Sequence, residues 1–150
     1  MNASAFDPDI FMSAQTEGAM ETEYAPCPVG DYMAQITAIS VRPTEKNGQA
    51  YYPMDISWKV DSPDNEEANG RLVRQTIFLD VSPNGGLAIG KNKNVALGRL
   101  RDAVGQNGPQ AWSPNNLVGA AAMIRIKHRI GEGDYEGRTF DEVDKVAKSF

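Results

Sequence analysis

The 150-residue chain predicts a mostly β domain with one helix, on three observations. Apolar and polar residues alternate through most of four segments, as they must where a strand throws successive side chains to opposite faces. One stretch, from Ala96 to Val104, instead repeats its apolar residues at the spacing of a helix face. Asn, Gly and Pro clusters separate these segments where turns are needed. Hydrophobic residues make up 41% of the chain and charged ones 23%, the balance of a globular domain with a real core.

Taken in order, residues 1–28 are acidic and aperiodic, and they end in Pro26-Cys27-Pro28, which cannot continue a helix. They read as an arm outside a domain spanning residues 29–150. From Gly30 to Val41, Tyr32, Ala34, Ile36 and Ala38 share one face of a strand; Ile39 and Val41 fall out of phase, which predicts a bulge or a strand buried on both faces near its end. Asn47-Gly48 is a strong hairpin turn signal. The second long strand, about Tyr51–Val60, points Met54, Ile56, Trp58 and Val60 inward and Asp55, Ser57 and Lys59 outward. A third, about Arg71–Val81, buries Val73, Gln75, Ile77, Leu79 and Val81; Phe78 is then either outside, one pleat from Arg74, or a core residue of a strand buried on both sides. After a Gly/Asn-rich loop, Asn94 is placed to cap a helix over Val95–Gly105, with Gly105 as its stop. The last segment, about Arg138–Ala147, fits an extended strand, although Phe140, Val143, Val146 and Ala147 also fit a helix face.

The fourth strand, Gly119–Ile130, carries the most informative pattern. Ala122, Ile124 and Ile126 alternate with Met123, Arg125, Lys127 and Arg129, so one face meets the core and the other carries three cations in a row. Such a row repels itself unless carboxylates or a polyanion offset it. His128 lies in line with Ile126 and Ile130 and reads as a satisfied core or rim histidine. The formal net charge of −5 conceals an asymmetry. Residues 1–41 hold six acids and no Lys or Arg, whereas residues 68–131 hold nine bases against two acids, a local charge of +7. A local basic field attracts a polyanion even when the whole protein is acidic.

Chemistry is sparse. One Cys and one His leave no disulfide and no ordinary structural zinc site. The carboxylate groups Asp64/Glu66/Glu67 and Asp141/Glu142/Asp144 lack a third ligand type. Gly85-Gly86 and Gly90-Lys91 lack the phosphate-loop spacing, and no nucleophile motif occurs. No enzyme, metal or cofactor is therefore expected. Neither a membrane span nor a secretory signal is seen, and the expected location is cytoplasmic.

The element order, three strands, a helix and two strands, is shared by generic α+β sandwiches and by the five-stranded OB-like Greek-key barrel expected here, whose second and third strands and flanking loops bind oligonucleotides. Single-strand binders need cations for phosphates and flat rings for bases. The candidates are Arg74, Phe78, Tyr51, Lys59, Lys91, Lys93, Arg125, Lys127 and Arg129, with Trp112 and Tyr135 in loops.

Several stretches carry a resemblance. They are Pro28-Val29-Gly30-Asp31-Tyr32 with Ala34 and Ile36, Ile56-Ser57-Trp58, Phe78-Leu79-Asp80, Gly90-Lys91-Asn92-Lys93-Asn94-Val95 through Arg101, and Leu117-Val118-Gly119. Over about residues 28–147 the chain resembles a family of small phage-encoded proteins of replication and recombination gene clusters, regarded as OB-fold single-stranded DNA-binding proteins. The resemblance implies non-catalytic, sequence-tolerant binding of single-stranded DNA, with phage or host replication and recombination proteins as further partners. It departs from the usual pattern in carrying its acidic segment at the N-terminus, while Lys145 and Lys148 make the other end basic. Two other functions fit the same sequence. One is a phage structural or assembly protein whose arm reaches a neighbouring subunit, as in a homodimer; the other is a module that binds and inhibits a host enzyme.

Overall fold

Five long strands pair antiparallel into one sheet in the computed structural model, which describes residues 5–149. Residues 1–4, at the start of the expected arm, and residue 150 lie outside the described residues. The elements are α1 (Pro8–Ser13), β1 (Gly30–Val41), β2 (Thr44–Lys46), β3 (Gln49–Tyr51), β4 (Pro53–Val60), β5 (Leu72–Phe78), α2 (Val95–Ala103), β6 (Ala121–Ile130) and β7 (Thr139–Ala147). Short 3₁₀ turns occupy Pro114–Leu117 and Gly133–Tyr135. The sheet order is β5-β4-β1-β6-β7, and β2-β3 is a separate small hairpin. The domain is mostly β, as expected, with one short helix in the arm besides the one between the third and fourth long strands.

Alternation decides which faces meet. Ala34, Ile36, Met54, Ile56, Trp58, Val60, Val73, Ile77, Ala122, Ile124 and Ile126 are all buried and form a single core. Leu97 and Leu100 of α2 join that core, as does Leu117. Gln75 is polar in an otherwise apolar set because Trp58 needs it: the indole Nε1 donates to Gln75 Oε1 at 2.9 Å. A buried indole N–H without an acceptor would be costly.

Two bulges set the register. In β1 the partners run Ile36 with Trp58, then Ala38 with Ser57, so Thr37 is the extra residue and Ile39 returns to the inner side. In β7 the partners run Arg125 with Lys145 and Ile126 with Val143, so Asp144 is extra. That bulge turns both Val143 and Val146 inward although they are three apart, which is why the segment also resembled a helix face. Asn47 and Gly48 both take positive φ, 53° and 77°, and Lys46 pairs with Gln49 across a two-residue turn. Gly105 (φ 74°) ends α2: its N–H donates to Asp102 O at 3.1 Å, and that of Gln106 to Arg101 O at 2.7 Å.

Three expectations need correction. The sheet is not closed into a barrel, since no ladder joins β5 to β7. The root of the arm spans part of that gap instead: Arg71, just before β5, donates to the Ala25 carbonyl, and Asp141 of β7 accepts the Cys27 N–H at 2.6 Å. Packing therefore begins before residue 29, with Cys27 wholly buried in the core. Asn94 precedes α2 but donates no cap. Its backbone is left-handed (φ 50°), and its side chain ties Asp80 to Ala88 through bonds of 2.8–2.9 Å. His128 is a rim histidine with a partner, within its expected reading: it is exposed, and its Nε2 lies 2.7 Å from the Cys27 carbonyl oxygen. No helix among the described residues is long and apolar enough to cross a membrane.

Candidate nucleic-acid interface

The cation row of β6 meets the protein's own carboxylates. Arg125 lies opposite Asp31 of β1 and donates to it at 2.9 Å. Lys127 Nζ sits 3.6 Å from Glu142 and 3.4 Å from Asp144, and Arg129 Nε 3.3 Å from Glu142. The row is thus offset internally, which corrects its reading as a free basic surface. The pairs are half exposed, and such pairs contribute only about 0–1 kcal/mol each, so a polyanion can compete for their cations.

Asp31 and Asp55 both register the pairing. The Arg125 guanidinium holds the Asp31 carboxyl below the usual carboxylate range. Asp55, on the outer face of β4, is lowered chiefly by its hydrogen bond from Arg42, against partial burial, with a further bond from Thr76 Oγ1 at 2.8 Å. A carboxylate lowered on folding stabilises the native state above its ordinary pKa of 3.8, and that contribution is lost as pH falls through the lower folded value. Acid unfolding should therefore steepen below pH 3.8. Asp55→Asn should flatten that decline; circular dichroism across a pH series checks it, and an unchanged profile would remove Asp55 from the explanation.

A broad concavity lies between the two edge strands. A groove of about 1070 Å³ is lined by Arg74, Thr76 and Phe78 of β5, by Phe140–Asp144 of β7, and by Lys127, Arg129, Tyr135 and Arg138. Phe78 is 63% exposed and its ring is open to a ligand, whereas Tyr135, 55% exposed, carries the Arg138 guanidinium 5.5 Å from its ring centroid. Tyr51, at the end of the β2–β3 hairpin, lies edge-on to Phe78 with ring centroids 6.4 Å apart. Across the groove, Tyr135 and Phe140 make a second edge-on pair at 5.9 Å. The guanidinium of Arg129 approaches the Phe140 ring at 5.0 Å. Arg74 makes no ion pair among the described residues. Two pairs of rings, with cations between them, can stack bases and meet phosphates.

Folding thus gathers Arg74, Phe78, Lys127, Arg129 and Tyr135 around one groove and sets Tyr51 beside it. The other candidates lie elsewhere. Lys59 borders a small hollow with Gln35 and Asp61. Lys91 and Lys93 stay on their own exposed loop. Arg125 is held by Asp31 outside the groove. Trp112 is tied down locally: its Nε1 donates to Gln106 Oε1 at 2.8 Å, and Arg101 covers its ring at 4.1 Å. An indole used in this way packs a loop against the core instead of offering a face to a base.

Arg138 and Phe140 belong to the groove, yet neither stands among the candidates drawn from the sequence. Their signal is the alternation Arg138, Phe140, Glu142, legible only once β7 is known to be a strand. Among the described residues, no cluster of His, Cys, Asp and Glu could hold a metal ion. No protein-family model matches the chain and no curated protein matches its sequence, so what it does must be argued from the groove itself.

Proposed function

We propose that the chain is a non-catalytic, sequence-tolerant single-stranded DNA-binding protein with an OB-like architecture. The sheet order, with α2 between the third and fourth long strands, supports this reading: the architecture would be a five-stranded Greek-key barrel left open between β5 and β7. In that architecture oligonucleotides lie across strands two and three, between the loop joining strands one and two and the loop joining strands four and five. Here those parts are β4–β5, the β2–β3 hairpin with Tyr51, and the turn with Tyr135.

One observation carries the reading: Phe78 and Arg74 from one part of the chain and Tyr135 from another line one open groove, with Tyr51 edge-on to Phe78 beside it. Bases stack on the rings, while Arg74, Arg138 and the competed-for Lys127 and Arg129 meet phosphates. Affinity then depends on salt, because each neutralised phosphate releases counterion. Fluorescence anisotropy with labelled oligo-dT should give a log–log salt slope of about −2, for roughly three contacted phosphates. Absence of binding at low salt would overturn the reading.

The arm supports a second reading, an assembly protein that reaches a neighbouring subunit. Phe6, Ile10, Phe11 and Met12 are all more than 60% exposed. Oligo-dT binding with a monomeric protein favours the first reading; a self-associated protein without DNA affinity favours the second.

A further inference from the structure

The arm returns to the groove at one place. Glu23 accepts an ion pair from Arg138 at 2.9 Å, and the same guanidinium stands over the Tyr135 ring at 5.5 Å and the Phe140 ring at 5.2 Å. Glu23 and Tyr24 also line a smaller hollow of about 690 Å³ that shares Arg138, Phe140 and Asp141 with the groove. Arg138 therefore covers the ring pair on whose Tyr135 face a base would stack, and an arm carboxylate neutralises it.

We infer that Glu23 and Arg138 form a self-capping latch on the Tyr135–Phe140 ring pair, which a single strand must displace to bind. The inference rests on the nucleic-acid reading above and adds its regulation. A phosphate of the incoming strand takes the place of the Glu23 carboxylate on Arg138. The guanidinium then leaves the Tyr135 ring and a base occupies that face, while Phe140 keeps the Arg129 guanidinium at 5.0 Å. Both exchanges involve exposed groups, with the Arg138 side chain 43% and the Glu23 side chain 57% exposed, so neither requires the core to move. The acids further along the arm, Asp7, Asp9, Glu17 and Glu21, bear the same sign of charge and favour the capped state less, because they make no contact with Arg138. The latch is specific to the carboxylate that touches it.

The test uses the full chain. Glu23→Gln removes the charge without touching a buried group. It should raise affinity for labelled oligo-dT about two- to fivefold, the worth of an exposed ion pair, with the salt slope nearly unchanged, because Arg138 meets a phosphate in both bound states. Glu21→Gln makes the same charge change two residues away and should alter affinity by less than half as much. The ring resonances of Tyr135 and Phe140 should move in Glu23→Gln without DNA, and should stay in place in Glu21→Gln. Equal gains from the two variants would overturn the latch in favour of a general field from the arm. Binding by the unaltered protein with no gain in Glu23→Gln, or rings that do not move, would overturn it too. If neither protein binds oligo-dT, the nucleic-acid reading fails, and displacement by a strand fails with it.

Discussion

Phe78→Ala should weaken oligo-dT binding by about 1–3 kcal/mol, roughly five- to 150-fold, while leaving the fold intact. The ring is 63% exposed and lies edge-on to Tyr51, so truncation opens no buried cavity. Stacking needs a flat apolar face clear of other side chains, and Phe78 is the most open ring on the groove. Arg74→Ala should act differently, shallowing the salt slope by about 0.7 because one phosphate contact is lost. Arg125→Ala serves as the contrast. Arg125 lies outside the groove and is occupied by Asp31, so its removal should leave affinity nearly unchanged. Anisotropy on the three variants separates these outcomes. Loss of binding in Arg125→Ala together with none in Phe78→Ala would move the interface to the β1–β6 face.

Trp58→Ala should have the largest effect on stability, a loss of about 3–5 kcal/mol. Trp58 is wholly buried at the centre of β4, between β1 and β5, opposite Ile36 and Val73. Truncation leaves a cavity and also strands the Gln75 side-chain oxygen, whose partner is the indole N–H. In a domain of this size the loss corresponds to a fall in Tm of about 6–20 °C. Trp58→Phe keeps most of the volume and isolates the hydrogen-bond term, about 1–3 kcal/mol. Thermal unfolding by circular dichroism checks both, and a Phe variant as stable as the unaltered protein would show Gln75 to be satisfied without the indole.

The parts of the molecule legible in the sequence are those governed by neighbours along the chain. Period-two alternation marked the inner faces of β1, β4, β5 and β6, because one sheet face must leave water. Asn47-Gly48 and Gly105 marked their turn and stop, because only such residues take positive φ at little cost. Even the β1 bulge was one of the two readings that Ile39 and Val41 allowed. The outward aim of Arg74 followed from the same alternation, and that of Phe78 was one of its two readings.

Where two distant segments meet, the sequence fell silent. Asp31 and Arg125 are 94 residues apart, and only the β1–β6 register brings them opposite each other. Three cations in a row therefore looked free when each had a carboxylate waiting on a neighbouring strand. Trp112 looked available to a base because the bond from its indole to Gln106 depends on how one loop folds against α2. The β7 bulge hid a strand behind a helical spacing, and with it Arg138 and Phe140.

By itself, then, the sequence determined the types of the first four long strands and of α2, the inner and outer faces of those strands, and the excess of positive charge over residues 68–131. These depend on local backbone preference and on the period at which side chains leave the backbone. Only the tertiary structure decided that β5 and β7 stand apart as the walls of a groove, which cations are paired, and which rings are open. Those are contacts between residues far apart in sequence, and strand order and register set them.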